Sequence, residues 1–196
     1  MKTIKTLLAV AAATAFTMGS AFAAQITGDI DFAGQAFFDT NSLATATQVM
    51  NFRASDGTNG HADVTQANGD FANTVNTGDK ATFPNVYTFN PSSPTSPLWT
   101  VGGFTFNLTS STVVFQSSQF LIVKGTGFLT GNGFDETPGT WAFTSQQADG
   151  SNQDSFSFSA NTSAQPGQVP DGGSTVALLG AALVGVAAIR RKLAVG

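Results

Sequence analysis

Cysteine is missing from all 196 residues. Its absence excludes disulfides, a thiolate nucleophile and cysteine-ligated zinc, but it does not decide the compartment, because a well-packed β core can stand without disulfides. Basic residues are almost as scarce. Residues 25–168 contain only Arg53, Lys80 and Lys124 against eleven acidic residues, a net charge of −8. Such a surface is a poor partner for nucleic acid or anionic lipid. There is one histidine, His61, and one glutamate, Glu136. Any Ser-His-Asp device would have to use His61, which lies in Gly60-His-Ala within a turn-rich stretch. With no Gly-x-Ser-x-Gly motif beside it, His61 reads as a solvated loop histidine. Glycosidase chemistry needs two carboxylates, at least one with a raised pKa. Glu136 sits in Asp-Glu-Thr-Pro-Gly, a turn composition, and nothing selects a pair from the other acids. No catalytic residue and no cofactor is expected.

What the sequence does have is aromatic side chains set among short polar ones. Residues 25–168 carry sixteen Phe with Trp99, Trp141 and Tyr87. Burying each Phe is worth about 1.5–3 kcal/mol, so one aromatic core can hold a domain of this length without metal or disulfide. The polar positions are mostly Asn, Thr, Ser, Gly and Gln, which favours strands and turns over helices. Ile26, Gly28, Ile30 and Phe32 alternate with polar residues, including Asp29 and Asp31, as on a half-buried strand. Further strands are expected at residues 49–53, 62–65, 80–89, 99–108, 112–116, 119–124, 127–130, 140–145 and 155–160. No helix is expected between residues 25 and 168. This pattern predicts an all-β domain, an antiparallel β-sandwich or jelly roll of about nine or ten short strands.

Several turns have a local cause. Pro91, Pro94 and Pro97 make a spaced connector that cannot enter a central ladder. Gly125-Thr-Gly127 and Gly131-Asn-Gly133 read as two successive tight turns around Phe128. Asp149, Asn152 and Asp154 bring three oxygen-bearing side chains within one turn, a candidate calcium site. They lack the Gly and final Glu of an EF-hand loop, and a hairpin turn is the simpler reading. Asn107-Leu-Thr109 and Asn161-Thr-Ser163 match the glycosylation sequon. Trp99 and Trp141 could stack on sugar if exposed, but both lie in alternating strands and so favour the core.

Both ends carry processing signals. Met-Lys-Thr-Ile-Lys, the apolar run 7–18 and the small residues Ala21 and Ala23 form a Sec-type signal peptide, cut by signal peptidase after Ala23. At the other end come Val169, Pro170, Asp171, Gly172 and Gly173, then an uncharged stretch 174–189, then Arg190, Arg191 and Lys192. Sixteen helical residues span about 24 Å, short of the roughly 30 Å hydrocarbon core, so this C-terminal hydrophobic helix is a marginal membrane anchor. The basic residues keep the far end cytoplasmic and leave the rest of the chain outside, in agreement with the signal peptide.

This arrangement of motif, weakly apolar helix and basic tail resembles the C-terminal sorting signal of PEP-CTERM proteins. It is closest to the variant class reading Val-Pro-Asp-Ser-Gly, with Gly172 in place of Ser. The resemblance implies recognition and cutting by a membrane-embedded exosortase, followed by movement to the cell surface or extracellular matrix. The late strands around Trp141-Ala-Phe143 and residues 155–160 also look like those of PEP-CTERM proteins of unassigned function. The chain then divides into a signal peptide (1–23), a β domain (24–160), a small-residue linker (161–168) and a sorting signal (169–196). The leading expectation is a non-enzymatic surface or matrix protein. A carbohydrate- or calcium-binding module is the alternative, with extracellular polysaccharide a candidate partner, and a secreted hydrolase comes third.

Overall fold

A computed structural model describes residues 23–147 and 155–165. The expected signal helix (1–23), apart from Ala23, and the expected C-terminal hydrophobic helix lie outside these residues. Ten strands follow one another: β1 Asp29–Phe38, β2 Gln48–Arg53, β3 His61–Ala67, β4 Lys80–Thr82, β5 Tyr87–Thr88, β6 Thr95–Val101, β7 Phe104–Gln116, β8 Phe120–Gly131, β9 Phe134–Gln146 and β10 Ser155–Ala164. The only helical element among the described residues is a five-residue 3-10 turn, Gly69–Asn73.

The strands close on themselves. Their order runs β10, β9, β8, β7, β6, β4, β3, β1, and β1 pairs back to β10, all antiparallel. The sandwich or jelly roll expected from the pattern is therefore replaced by a closed eight-stranded barrel. The physical reason is that β1 uses both edges. One bonds β10 over Asp29–Phe37, and the other bonds β3 through Ile30–Ala33 and then β2 through Gln35–Phe38. Closure removes the unpaired edges that a sandwich would leave. Strands β2 and β5 pair beside this ring and bury Val49, Phe52 and Tyr87 in the same core.

Two neighbouring hairpins set the register of the long strands. Gly102 and Gly103 (φ +56° and +83°) join β6 to β7, and Asn132 and Gly133 (φ +51° and +80°) join β8 to β9. Positive φ at both central residues matches the right-handed strand twist, and Asn-Gly is the residue pair that adopts it most easily. The Asn132 amide then donates to the Gly102 carbonyl at 3.0 Å, tying the two turns together.

Alternation along each strand fills the barrel. On β9, Trp141 and Phe143 point inward while Thr140, Ala142 and Thr144 point outward. An eight-stranded barrel has an interior just wide enough for side chains, and here aromatic rings occupy it. Trp99, Phe106, Trp141 and Phe143 form a stacked column with centroids 6.0, 6.5 and 6.3 Å apart. Phe32, Phe52, Phe83 and Phe158 pack around it in tilted or edge-on pairs.

Candidate functional site

The two tryptophans belong to the core. Trp99 is 0% exposed and Trp141 1% exposed. Strands β6 and β9 turn both rings into the barrel, and the Trp99 Nε1–H donates to the Thr162 hydroxyl at 2.9 Å. Neither ring can act as a sugar-stacking platform, so that form of the carbohydrate-binding reading fails. The cause is inward strand parity.

His61 opens β3 instead of lying in a solvated loop. It pairs across the ladder with Thr82, its Nδ1–H donates to the Asn59 carbonyl at 2.8 Å, and Nε2 lies 3.5 Å from the Thr82 hydroxyl. The turn residues Gly57–Gly60 that surround it in sequence end one position before the strand begins. Glu136 and Asp135, expected in a turn, lie on β9.

The carboxylates serve the loops. Asp70 accepts from the Thr27 N–H and hydroxyl, at 2.7 and 2.8 Å, fixing the chain before β1. Asp39 accepts from the Thr47 N–H and hydroxyl and from the Gln48 N–H, closing the β1–β2 connection. Lys80 bridges Asp56 at 3.1 Å and Asp63 at 3.0 Å, and Asp63 also accepts from the Ser55 N–H at 2.6 Å. The Asn161 amide donates to Asp31 while its carbonyl oxygen accepts from Ser163, so this sequon side chain is already engaged. Among the described residues, no group of three His, Asp or Glu is placed to hold a metal ion. The calcium candidates Asp149, Asn152 and Asp154 lie outside the described residues.

These contacts make stability depend on acid. Partial burial raises the pKa of Asp39 and Asp63, but hydrogen bonds to Thr47 and Gln48, and to Ser55 and Lys80, outweigh it and hold both below 3.8. Asp56 is brought down to about 2, chiefly by Thr58 and then by Lys80, whose own pKa is raised above 10.5 by the two carboxylates. A carboxylate with a depressed folded pKa stabilises fully above its unfolded value and loses that contribution as pH falls through the folded one. The urea midpoint should therefore be level at neutral pH and fall as pH drops from about 4 to 2. Replacing Asp56 and Asp63 together with Asn should flatten that decline, and equal acid sensitivity in the variant would contradict it.

Shallow grooves mark the surface of the described residues, three of them as follows. One runs over Phe120, Ile122, Thr144 and Gln146, a second over Ser110, Thr112, Lys124, Thr126 and Thr140, and a third beside Asp31, Thr65 and Asn161. None gathers the two carboxylates that glycoside hydrolysis requires. The interior does hold one feature that the sequence pattern does not reveal. Tyr87, Ser111 and Trp141 place polar atoms inside the core, and Ser111 points inward only because the β7–β8 register shifts between Leu108 and Ser110.

The chemistry with a recognisable purpose is in the tail. Residues 168–193 match the family described as the VPDSG-CTERM motif. That motif is a PEP-CTERM-like sorting signal. The match takes in Val169, Pro170, Asp171, Gly172 and Gly173 at one end and Arg190, Arg191 and Lys192 at the other, and it tolerates Gly172 where the motif's description has Ser. It marks a secreted chain handed to a sorting system and directed to the cell surface. The motif residues, the basic residues and Ala21 lie outside the described residues, while Ala23 is exposed where these begin. Among the described residues, no helix is long and apolar enough to cross a membrane. No curated protein and no solved structure gives a significant match.

Proposed function

We propose that the chain is a non-enzymatic protein of the cell surface or extracellular matrix, delivered through an exosortase-like membrane enzyme that reads its tail. The observation that carries this reading is the sorting motif at residues 168–193. In this reading signal peptidase cuts after Ala23 and the apolar segment 174–189 holds the chain at the membrane. The processing enzyme then binds the extended segment around Pro170 and releases the domain outward. Two features of the barrel support a structural role. Its interior is filled by aromatic rings, and its outward positions on β7 to β9 carry recurrent hydroxyl residues such as Thr105, Thr112, Thr126 and Thr140, suited to a hydrated matrix, beside the exposed Val114, Phe115, Phe120 and Phe128.

The test is to compare the full chain with one ending at Ala164 or Gln165, before the motif, in the native host. The full chain should accumulate in the surface and matrix fraction, and the truncated chain should be exported yet missing from that fraction. Equal accumulation of both at the surface would overturn the sorting role.

A further inference from the structure

Among the described residues four buried side-chain polar atoms have no hydrogen-bond partner; one, Gln25 Oε1, lies before β1, and the other three lie in the barrel. The Tyr87 hydroxyl from β5, the Ser111 hydroxyl from β7 and the Trp141 Nε1–H from β9 are buried without a hydrogen-bond partner. Their residues are 0, 6 and 1% exposed. Unpaired buried donors and acceptors are rare in folded proteins because each loses its water without replacement.

The ladder explains why they meet. Ser111 faces Gly125 across β7 and β8, and Gly125 faces Trp141 across β8 and β9. The three positions form one row whose middle member has no side chain. A Cβ at Gly125 would stand 2.7 Å from Leu108 Cδ1 and 2.6 Å from the Ser110 carbonyl, so that space is already used from the apolar side. Tyr87 enters from β5 with its ring 6.2 Å from that of Phe143. Burial pushes its pKa up to about 12, opposed by Ser111 and Trp141, which approach the hydroxyl as hydrogen-bonding neighbours but fall short of full bonding geometry. The phenol is therefore neutral at physiological pH, and its proton is available to donate.

The three groups are complementary to one small polar molecule. An indole N–H only donates, whereas each hydroxyl donates or accepts. A water could accept from Trp141 and exchange hydrogen bonds with Tyr87 and Ser111, reaching the three bonds typical of a buried water. The surrounding rings exclude bulk solvent. We propose that Tyr87, Ser111 and Trp141 form a closed polar site inside the barrel that holds one structural water and pins β5 to the β7–β9 sheet.

A high-resolution crystal structure of the full chain tests this directly. One ordered peak is expected within about 2.7–3.2 Å of all three atoms. Tyr87→Phe and Ser111→Ala should each remove one partner and lower the melting midpoint by roughly 2–8 °C. Direct bonds among the three groups with no peak between them would overturn the proposal. So would a higher midpoint for Tyr87→Phe, because deleting an orphaned hydroxyl stabilises, whereas deleting one that holds a water does not.

Discussion

Replacing Trp99 with alanine is expected to cost about 3–5 kcal/mol, the range for removing a large buried aromatic side chain. Three losses combine at this position. Trp99 is fully buried, so the whole ring area returns to solvent or leaves a cavity. It stacks on Phe106 at 6.0 Å and packs against Phe32 at 5.2 Å and Phe71 at 6.3 Å, linking β6, β7, β1 and the 3-10 turn. Its indole is also the partner of Thr162, a buried hydroxyl on β10 that would be left unpaired. A domain of this size has roughly 5–15 kcal/mol in total, so the variant should lie near the edge of folding. Urea titration followed by far-ultraviolet circular dichroism checks it. Trp99→Phe should recover much of the packing but not the Thr162 bond, leaving a deficit of about 1–3 kcal/mol. A loss under about 1 kcal/mol for the alanine variant would mean that Trp99 is not a central member of the core.

The inward and outward faces were legible in the sequence because alternation is local. Phe104, Phe106 and Leu108, like Trp141 and Phe143, follow a period of two and are buried as that period requires. Strand count was also close. Boundaries failed where one residue type has two uses. Gly125-Thr-Gly127 reads as a turn but lies inside β8, because there the glycines yield to neighbours. A Cβ at Gly127 would stand 2.2 Å from the Asn107 carbonyl and 2.8 Å from the Phe106 ring. The 99–108 stretch reads as one strand, yet Gly102 and Gly103 fold it into the β6–β7 hairpin. Similarly, the expected strand 80–89 divides into β4 and β5 around Pro84.

Closure was hidden for a different reason. Whether β10 meets β1 depends on pairings between residues far apart in the chain, from Phe37 with Ser155 to Asp29 with Ser163. No local periodicity carries that information. The buried polar row has the same origin, because the bulge between Leu108 and Ser110 decides that the Ser111 hydroxyl turns inward. The tail was the easiest part to read, since order, spacing and charge along a short segment are what its recognition requires.

Changing Pro170 and Asp171 to alanine together is expected to abolish C-terminal processing in the native host. Pro170 lacks an N–H and fixes its own φ, and together with the Gly172-Gly173 pair it disfavours regular structure within the motif. An extended backbone is the form that a processing cleft binds, and Pro170→Ala in front of an apolar run allows the helix to grow back through the motif. Asp171 is the only acidic residue within 168–193, so its loss also removes the one negative charge the motif offers. On the proposed reading, the segment 174–189, interrupted by Gly180 and Gly185 and otherwise rich in Ala, would hold the bilayer only weakly, which suits brief presentation to an enzyme. Intact-mass analysis of the mature protein reads the outcome. The wild-type chain should lack Arg190, Arg191 and Lys192, and the double variant should retain all three and stay with the membrane fraction. A mature wild-type chain that still carries these basic residues would make the tail a permanent anchor and remove the processing step.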